Sequence, residues 1–165
     1  MTEVQVLEAD LTRPDHADAV LALTDAYARD PMGNGRPLPA EVRAALIEGL
    51  RRHPTTVVFL AYHEGEAVGI ATCFLGFSTF AARPLLNVHD LAVLSDRRGR
   101  GIGRRLLDAV EDKARALDCC KVTLEVQENN RRARRVYEAA GFSRATYEAA
   151  AGGALFLSKP LSSAL

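Results

Sequence analysis

The chain has 165 residues, 48% of them hydrophobic and 25% charged, with 21 basic residues matched by 21 acidic ones. That length fits a single domain, residues 1–165, burying roughly two thirds of its unfolded surface. No run reaches the ~20 apolar residues of a membrane span, and zero net charge argues against a generally basic, nucleic-acid-binding surface.

The opening residues MTEVQVLEADLTRPD carry acids where a secretory signal has a basic start and an apolar stretch, so a cytoplasmic setting is expected. Within them, Glu3–Ala9 alternates like a first strand. From Pro14 to Asp30, Ala19, Val20, Leu23, Ala26 and Tyr27 recur at helical spacing, with Pro14 suited to a first turn. Asp30–Pro39, DPMGNGRPLP, is dense in turn residues and reads as a loop. A second helix runs from about Pro39 to Arg52, with Val42, Leu46, Ile47 and Leu50 on one face. Two strands, Thr55–His63 and Ala67–Ser78, flank the hairpin turn Glu64–Glu66, and Pro84–Leu94 is a third long strand. A helix to about Leu117 follows, then a strand at Lys121–Gln127, a helix in NNRRARRVYEAAG and a closing strand in ALFLSKPL. The order β α α β β β α β α β β predicts a mixed α/β sheet with helices on both faces.

Cys73, Cys119 and Cys120 are odd in number and two are adjacent, so neither a disulfide framework nor a metal pair is expected, and no metal site is predicted. Charge is unevenly spread. Arg97–Arg144 holds 13 basic against 7 acidic residues, which points to a local anionic ligand. The densest part is SDRRGRGIGRRLLDAV, Ser95–Val110, with three glycines and five arginines at the entrance to a helix. The first turn of a helix has unpaired N–H groups and the positive end of its dipole, a natural seat for phosphate. Gly99, Gly101 and Gly103 let a ligand approach the main chain, while Arg98, Arg100, Arg104 and Arg105 offer charged donors. Together they predict a pyrophosphate site. A dinucleotide fingerprint finds Gly101 and Gly103 but Leu106 where its third glycine belongs, although Glu125 follows at a suitable distance. Solvated arginines on a purely structural turn are the bland alternative, and nucleic acid is disfavoured by the lack of exposed aromatics among the cations.

With Arg98, Gly101 and Gly103 spaced R-x-x-G-x-G, the chain resembles the GNAT superfamily of acetyl-CoA-dependent N-acetyltransferases. LEVQENNRRARRVYEAAGF resembles the family's later strand–helix pattern at Leu124, Glu125, Val126, Asn130, Ala133, Tyr137, Gly141 and Phe142. The resemblance implies a mostly antiparallel twisted sheet whose central strands splay, around Leu91–Val93 and Leu124–Val126, to admit pantetheine. It implies main-chain pairing with Leu91, Ala92 and Val93, and pyrophosphate on the turn Arg98, Gly99, Arg100, Gly101, Ile102, Gly103, Arg104. Asn130 reads either as a helix N-cap or as a coenzyme contact.

Tyr137 shares a helix face with Ala133, Val136 and Ala140, as a core residue would, while the resemblance makes it the acid that protonates the departing thiolate. For the base, Glu125 is the first choice and Asp90 the second, with His89 read as a strand-surface residue. Glu125 lies twelve residues before Tyr137, a spacing similar to the Glu and Tyr pair of bacterial ribosomal-protein N-terminal acetyltransferases. The implied reaction is direct attack of a primary amine, on a small molecule or peptide, upon acetyl-CoA, with no metal, nucleic acid or membrane partner. Dimers are common in the family, so a homodimer is one expectation. A non-catalytic acyl-CoA-binding module and a dinucleotide-dependent oxidoreductase are the competing readings.

Overall fold

A computed structural model describes residues 3–146 and 149–161. Its elements in chain order are β1 (Gln5–Glu8), α1 (Pro14–Arg29), α2 (Ala40–Arg52), β2 (Thr56–His63), β3 (Glu66–Ser78), β4 (Arg83–Val93), α3 (Ile102–Ala116), β5 (Val122–Leu124) and α4 (Arg131–Ala139). The five strands form one sheet in the order β1-β2-β3-β4-β5. The first four pair antiparallel and β5 lies parallel to β4. The parallel step follows from the intervening α3, since a helical crossover returns the chain in its starting direction.

Alternation along the strands makes two cores. Val57, Phe59 and Ala61 of β2 pack with Ala71, Cys73, Leu86 and Val88 under Ile102, Leu106 and Val110 of α3. The intervening Val58 and Leu60, with Ile70, face Val20 and Leu23 of α1. Each fully buried leucine or valine of this kind contributes about 1.5–3 kcal/mol, so helices on both faces are required by the strand pattern. The amphipathic α2 has no fully buried residue, and covers the α1 core through Ile47 and Leu50.

One irregularity in β4 matters for everything downstream. Cys73 pairs with Val88 and Thr72 with Asp90, which leaves His89 as the extra residue of a β-bulge. A bulge shifts the alternation of the strand. Leu86 and Val88 face α3 before it, and Leu91 and Val93 face α3 after it, with Ala92 turned to the α1 side. Odd-numbered residues thus replace even-numbered ones in the same core.

The expected closing strand ALFLSKPL is not a strand. Residues 154–161 form no ladder: the Ala154 N–H donates to the Ala145 carbonyl at 3.3 Å, Leu155, Phe156, Leu157 and Leu161 are exposed, and no strand follows α4 among the described residues. A strand exists only through its ladder partner. Apolar composition marks a segment as able to pair but supplies no neighbour, and the sheet among the described residues ends at β5.

Gly69 of β3 seats α3. A Cβ there would stand 3.1 Å from Leu106 Cδ1, 3.2 Å from Ile102 Cγ2 and 3.3 Å from the Ala92 carbonyl oxygen. Gly69→Val should therefore destabilise the fold by about 1–3 kcal/mol through overpacking. Urea denaturation measures this, and an unchanged midpoint would show that the seat of α3 is loose.

Candidate active site

β4 and β5 pair only at Leu86–Val122, Asn87–Thr123 and Val88–Leu124. Beyond that they part, and a cavity of about 680 Å³ opens between Leu91, Ala92 and Val93 on one side and Leu124, Glu125 and Val126 on the other. The bulge at His89 and the shortness of β5 leave the β5-facing edge of β4 unpaired. An unpaired strand edge is a template for an extended, amide-bearing ligand.

The turn from β4 into α3 forms the next wall. Gly99 and Gly101 both have φ of 76°, and at neither would an added Cβ meet another atom. A residue with a side chain is disfavoured there by conformation, while the space above the backbone is open. Gly101 is the N-cap of α3 and offers no side-chain cap. The N–H groups of the first helical turn, at Ile102, Gly103 and Arg104, thus lack a capping side chain beside the cavity that all three line.

Most of the arginines that crowd this turn have protein partners. Arg98 donates Nε to the Val93 carbonyl at 2.9 Å, and its Nη2 pairs with Asp30. Arg104 pairs with Asp108 and donates to the Ala139 carbonyl, tying α3 to the end of α4. Arg105 reaches Val4 and Glu3, and Arg97 pairs with Glu66 and Asp96. Arg100 is exposed, makes no ion pair among the described residues and does not line the cavity. The donors left open at the turn are therefore chiefly backbone N–H groups, with Arg97, Arg98, Arg104 and Arg132 on the walls.

Asn130 is the N-cap of α4. Its Oδ1 accepts the Ala133 N–H at 3.2 Å, and the residue also lines the cavity. At the other end of α4, Gly141 has φ of 91°, the Phe142 N–H donates to the Tyr137 carbonyl and Gly141 donates to Glu138. This helix stop brings the Phe142 ring edge-on to Tyr137 at 6.0 Å. Tyr137 is only 9% exposed and lines the cavity. Burial, with Tyr27 nearby, pushes its phenol up to about 12.

The two acids named from the sequence sit differently. Glu125 lines the cavity and is exposed. Asp90 lies opposite Thr72 just after the bulge, half-buried on the α1 side and off the cavity wall. Burial raises its carboxyl above the usual carboxylate range, against the opposing pull of His89. Cys73 is fully buried in the α3-side core, where burial pushes its thiol up to about 12, and the cavity wall carries no cysteine among the described residues.

Tyr27 of α1, and Asp30 and Met32 just after it, complete the wall on the α1 side, where the sequence reading places the segment that sets the acceptor, Asp30–Pro39. Burial raises the Tyr27 phenol, with Asp90 and Asp30 adding to the effect. The only sequence signal for this wall was the density of turn residues in Asp30–Pro39. Leu106, at the missing third glycine of the dinucleotide fingerprint, is a fully buried core residue.

Comparison with known proteins agrees with this geometry. The chain is 29% identical over 102 residues to an uncharacterized N-acetyltransferase, YhfO, of Bacillus subtilis, covering 62% of this chain and 68% of that one. It is 34% identical over 87 residues to the N-alpha-acetyltransferase MAK3 of Arabidopsis thaliana, covering 53% and 45%. Two solved structures share the fold. One is a ribosomal-protein-alanine N-acetyltransferase from Brucella melitensis biovar Abortus, with TM-score 0.71, 20% identity and coverage of 95% and 99%. The other is the aminoglycoside N-acetyltransferase AAC(6')-Iy in complex with CoA, with TM-score 0.73, 18% identity and coverage of 96% and 96%. The model of the Acetyltransferase (GNAT) family matches residues 20–142, and with most of the chain inside that match, from α1 to the helix stop at Phe142, the protein belongs to the GNAT family of acetyltransferases.

Proposed function

We propose that the chain transfers acetyl from acetyl-CoA to a primary amine of a small molecule or peptide, by direct attack in a ternary complex. The observation that carries this is the placing of a buried, protonated phenol, Tyr137, in the same cleft as an uncapped helix N-terminus behind glycines. The dimensions suit the ligand: an unpaired strand edge for the pantetheine amides, and a turn whose glycines leave room for pyrophosphate. Acetyl-CoA supplies the acetyl group as an activated thioester.

The chain's own residues do the rest. Tyr137 keeps its proton at neutral pH and so holds the one that a departing thiolate needs. The main chain of Leu91–Val93 orients the arm, with the Val93 carbonyl shared with Arg98. The cavity-facing charge of Glu125 collects a cationic amine. We assign the base to Asp90, acting through water, because it stands near the cavity residue Tyr27, whose phenol it raises, and because burial raises its own carboxyl. This reverses the order in which the sequence ranked the two acids, since Glu125 lacks the desolvation that the ranking assumed. With Cys73 buried and protonated, no thiol is placed for a covalent acetyl-enzyme. Three free cysteines support a reducing, cytoplasmic setting, and no helix among the described residues is long and apolar enough to cross a membrane.

An acetyl-CoA-dependent thiol-release screen over amines, amino acids and peptide N-termini tests the reading and finds the acceptor. Gly101→Asp should abolish acetyl-CoA binding in calorimetry, by strain at a positive φ and by placing negative charge at the phosphate seat; undiminished binding would remove the phosphate-turn argument. Tyr137→Phe should still bind acetyl-CoA, with kcat lowered by about 10²–10⁴-fold; a smaller loss would make Tyr137 a packing residue. The rate should fall as pH drops through the raised pKa of Asp90, where the base becomes protonated. Asp90→Asn should flatten that acidic limb, and Glu125→Gln should raise the amine KM while keeping it. The opposite pattern would return the base to Glu125.

A further inference from the structure

We infer that Asp30 and Arg98 are positioning residues that hold the loop after α1 as a strap across the splayed strands, fixing the acceptor wall against the phosphate turn. The inference rests on the proposed acetyl transfer and adds residues to which that reading assigns no such task.

Asp30 ends α1, and its carboxylate works in two directions. Oδ1 accepts the Met32 N–H at 2.8 Å, while Oδ2 pairs with Arg98, a residue 68 positions away. The two side chains are only 13% and 24% exposed, so solvent screens the pair weakly. The same guanidinium donates to the Val93 carbonyl, which joins the loop to the end of β4. Two residues later the loop is held from the opposite side, where Gln127 Nε2, just past the end of β5, donates to the Met32 carbonyl at 3.2 Å. The loop thus reaches the segments that follow both strands, through Arg98 and Gln127, where the strands have ceased to touch each other, and Asp30 and Met32 line the cavity beside Tyr27 of α1.

The strap is built to keep its shape. Gly33 donates to the Asp30 carbonyl at 2.8 Å, and a Cβ on it would fall 2.1 Å from the Tyr27 carbonyl oxygen, a backbone atom with no freedom to yield. Asn34 and Arg36 both donate to the Ala28 carbonyl. At the far end, the buried Asp25 accepts the Leu38 N–H at 2.9 Å and pairs with Arg29 and Arg43. With its base anchored to α1 in this way, the free span of the strap is Asp30–Met32, and the Arg98 pair is what ties it to the coenzyme side.

Hydrogen exchange on the full chain, with and without acetyl-CoA, tests the strap alongside calorimetry. In the wild type, acetyl-CoA should slow exchange in 30–38 as well as in 99–104. Asp30→Ala should leave acetyl-CoA affinity and the protection of 99–104 in place while 30–38 exchanges faster and gains no protection from the ligand. With an amine found by the screen, kcat/KM should fall by about 10–100-fold through misplacement, with the KM for acetyl-CoA unchanged. Asp30→Asn keeps the size and the Met32 contact, guards against failure to fold, and should fall between the two. The exchanged pair Asp30→Arg with Arg98→Asp should restore part of the loop protection. If Asp30→Ala folds and its loop exchanges as slowly as the wild type, free and bound, the strap is overturned. If acetyl-CoA fails to bind the wild type, the acetyl-transfer reading falls instead, and faster exchange of 30–38 in free Asp30→Ala still decides whether the pair holds the loop.

Discussion

The brevity of the contact between β4 and β5 is the constraint on which the rest of the structure depends. Three residue pairs hold the two strands together, and beyond Val88 and Leu124 β4 stays paired with β3 while its edge toward β5 has no partner in that strand. Peptide groups that leave a ladder need other hydrogen-bond partners, which water or a ligand lying along the open edge can supply. Here the opening is bounded on every side. The α3 turn closes one end, α4 with Tyr137 lines another, and the loop after α1 crosses the gap. The bulge at His89 makes this geometry possible, because it lets β4 keep Leu91 and Val93 in the α3 core while the strand turns away from β5.

Electrostatics follows from the same opening. A surplus of cations in Arg97–Arg144 suggests a crowd of guanidinium groups awaiting phosphate. In the folded chain most of these groups are spent as ties: Arg98 to Asp30 and Val93, Arg104 to Asp108 and Ala139, Arg105 to Glu3 and Val4. Their positive charge still biases the cleft, since an ion pair at the wall is a dipole rather than nothing. The donors left open at the turn are mainly those of the main chain, whose hydrogen bonds are directional and cost no side-chain entropy. The arginines thus hold in place the elements that carry those amides.

The chemistry of the cleft divides by burial. Tyr137 and Asp90 are both desolvated and both pushed toward their protonated forms. For the phenol this keeps an acid supplied with its proton, and for the carboxyl it raises basicity from a value too low to be useful. Glu125, on the cavity wall, stays in contact with solvent, and exposed charge acts mainly at a distance. The three groups thus differ in how much water each retains, with Tyr137 and Glu125 on the cavity wall and Asp90 behind it.

The sequence alone determined the ordinary helices and strands, the α/β architecture and the glycine-rich turn, because each of these is written in local periodicity and turn chemistry. Motif spacing also brought Arg98, Gly101, Asn130 and Tyr137 together, and all four line the cavity. What the sequence could not show was every property set by partners distant along the chain. The closing segment 154–161 looked like a strand by composition, yet a ladder needs a neighbour, and none is present among the described residues. The ranking of Glu125 above Asp90 assumed a burial that only packing decides. The pairing of Asp30 with Arg98, 68 residues apart, left no trace in either local pattern. Local sequence fixes backbone conformation through sterics and hydrogen bonds between near neighbours, whereas desolvation, strand partnership and ion pairing arise only when remote segments meet.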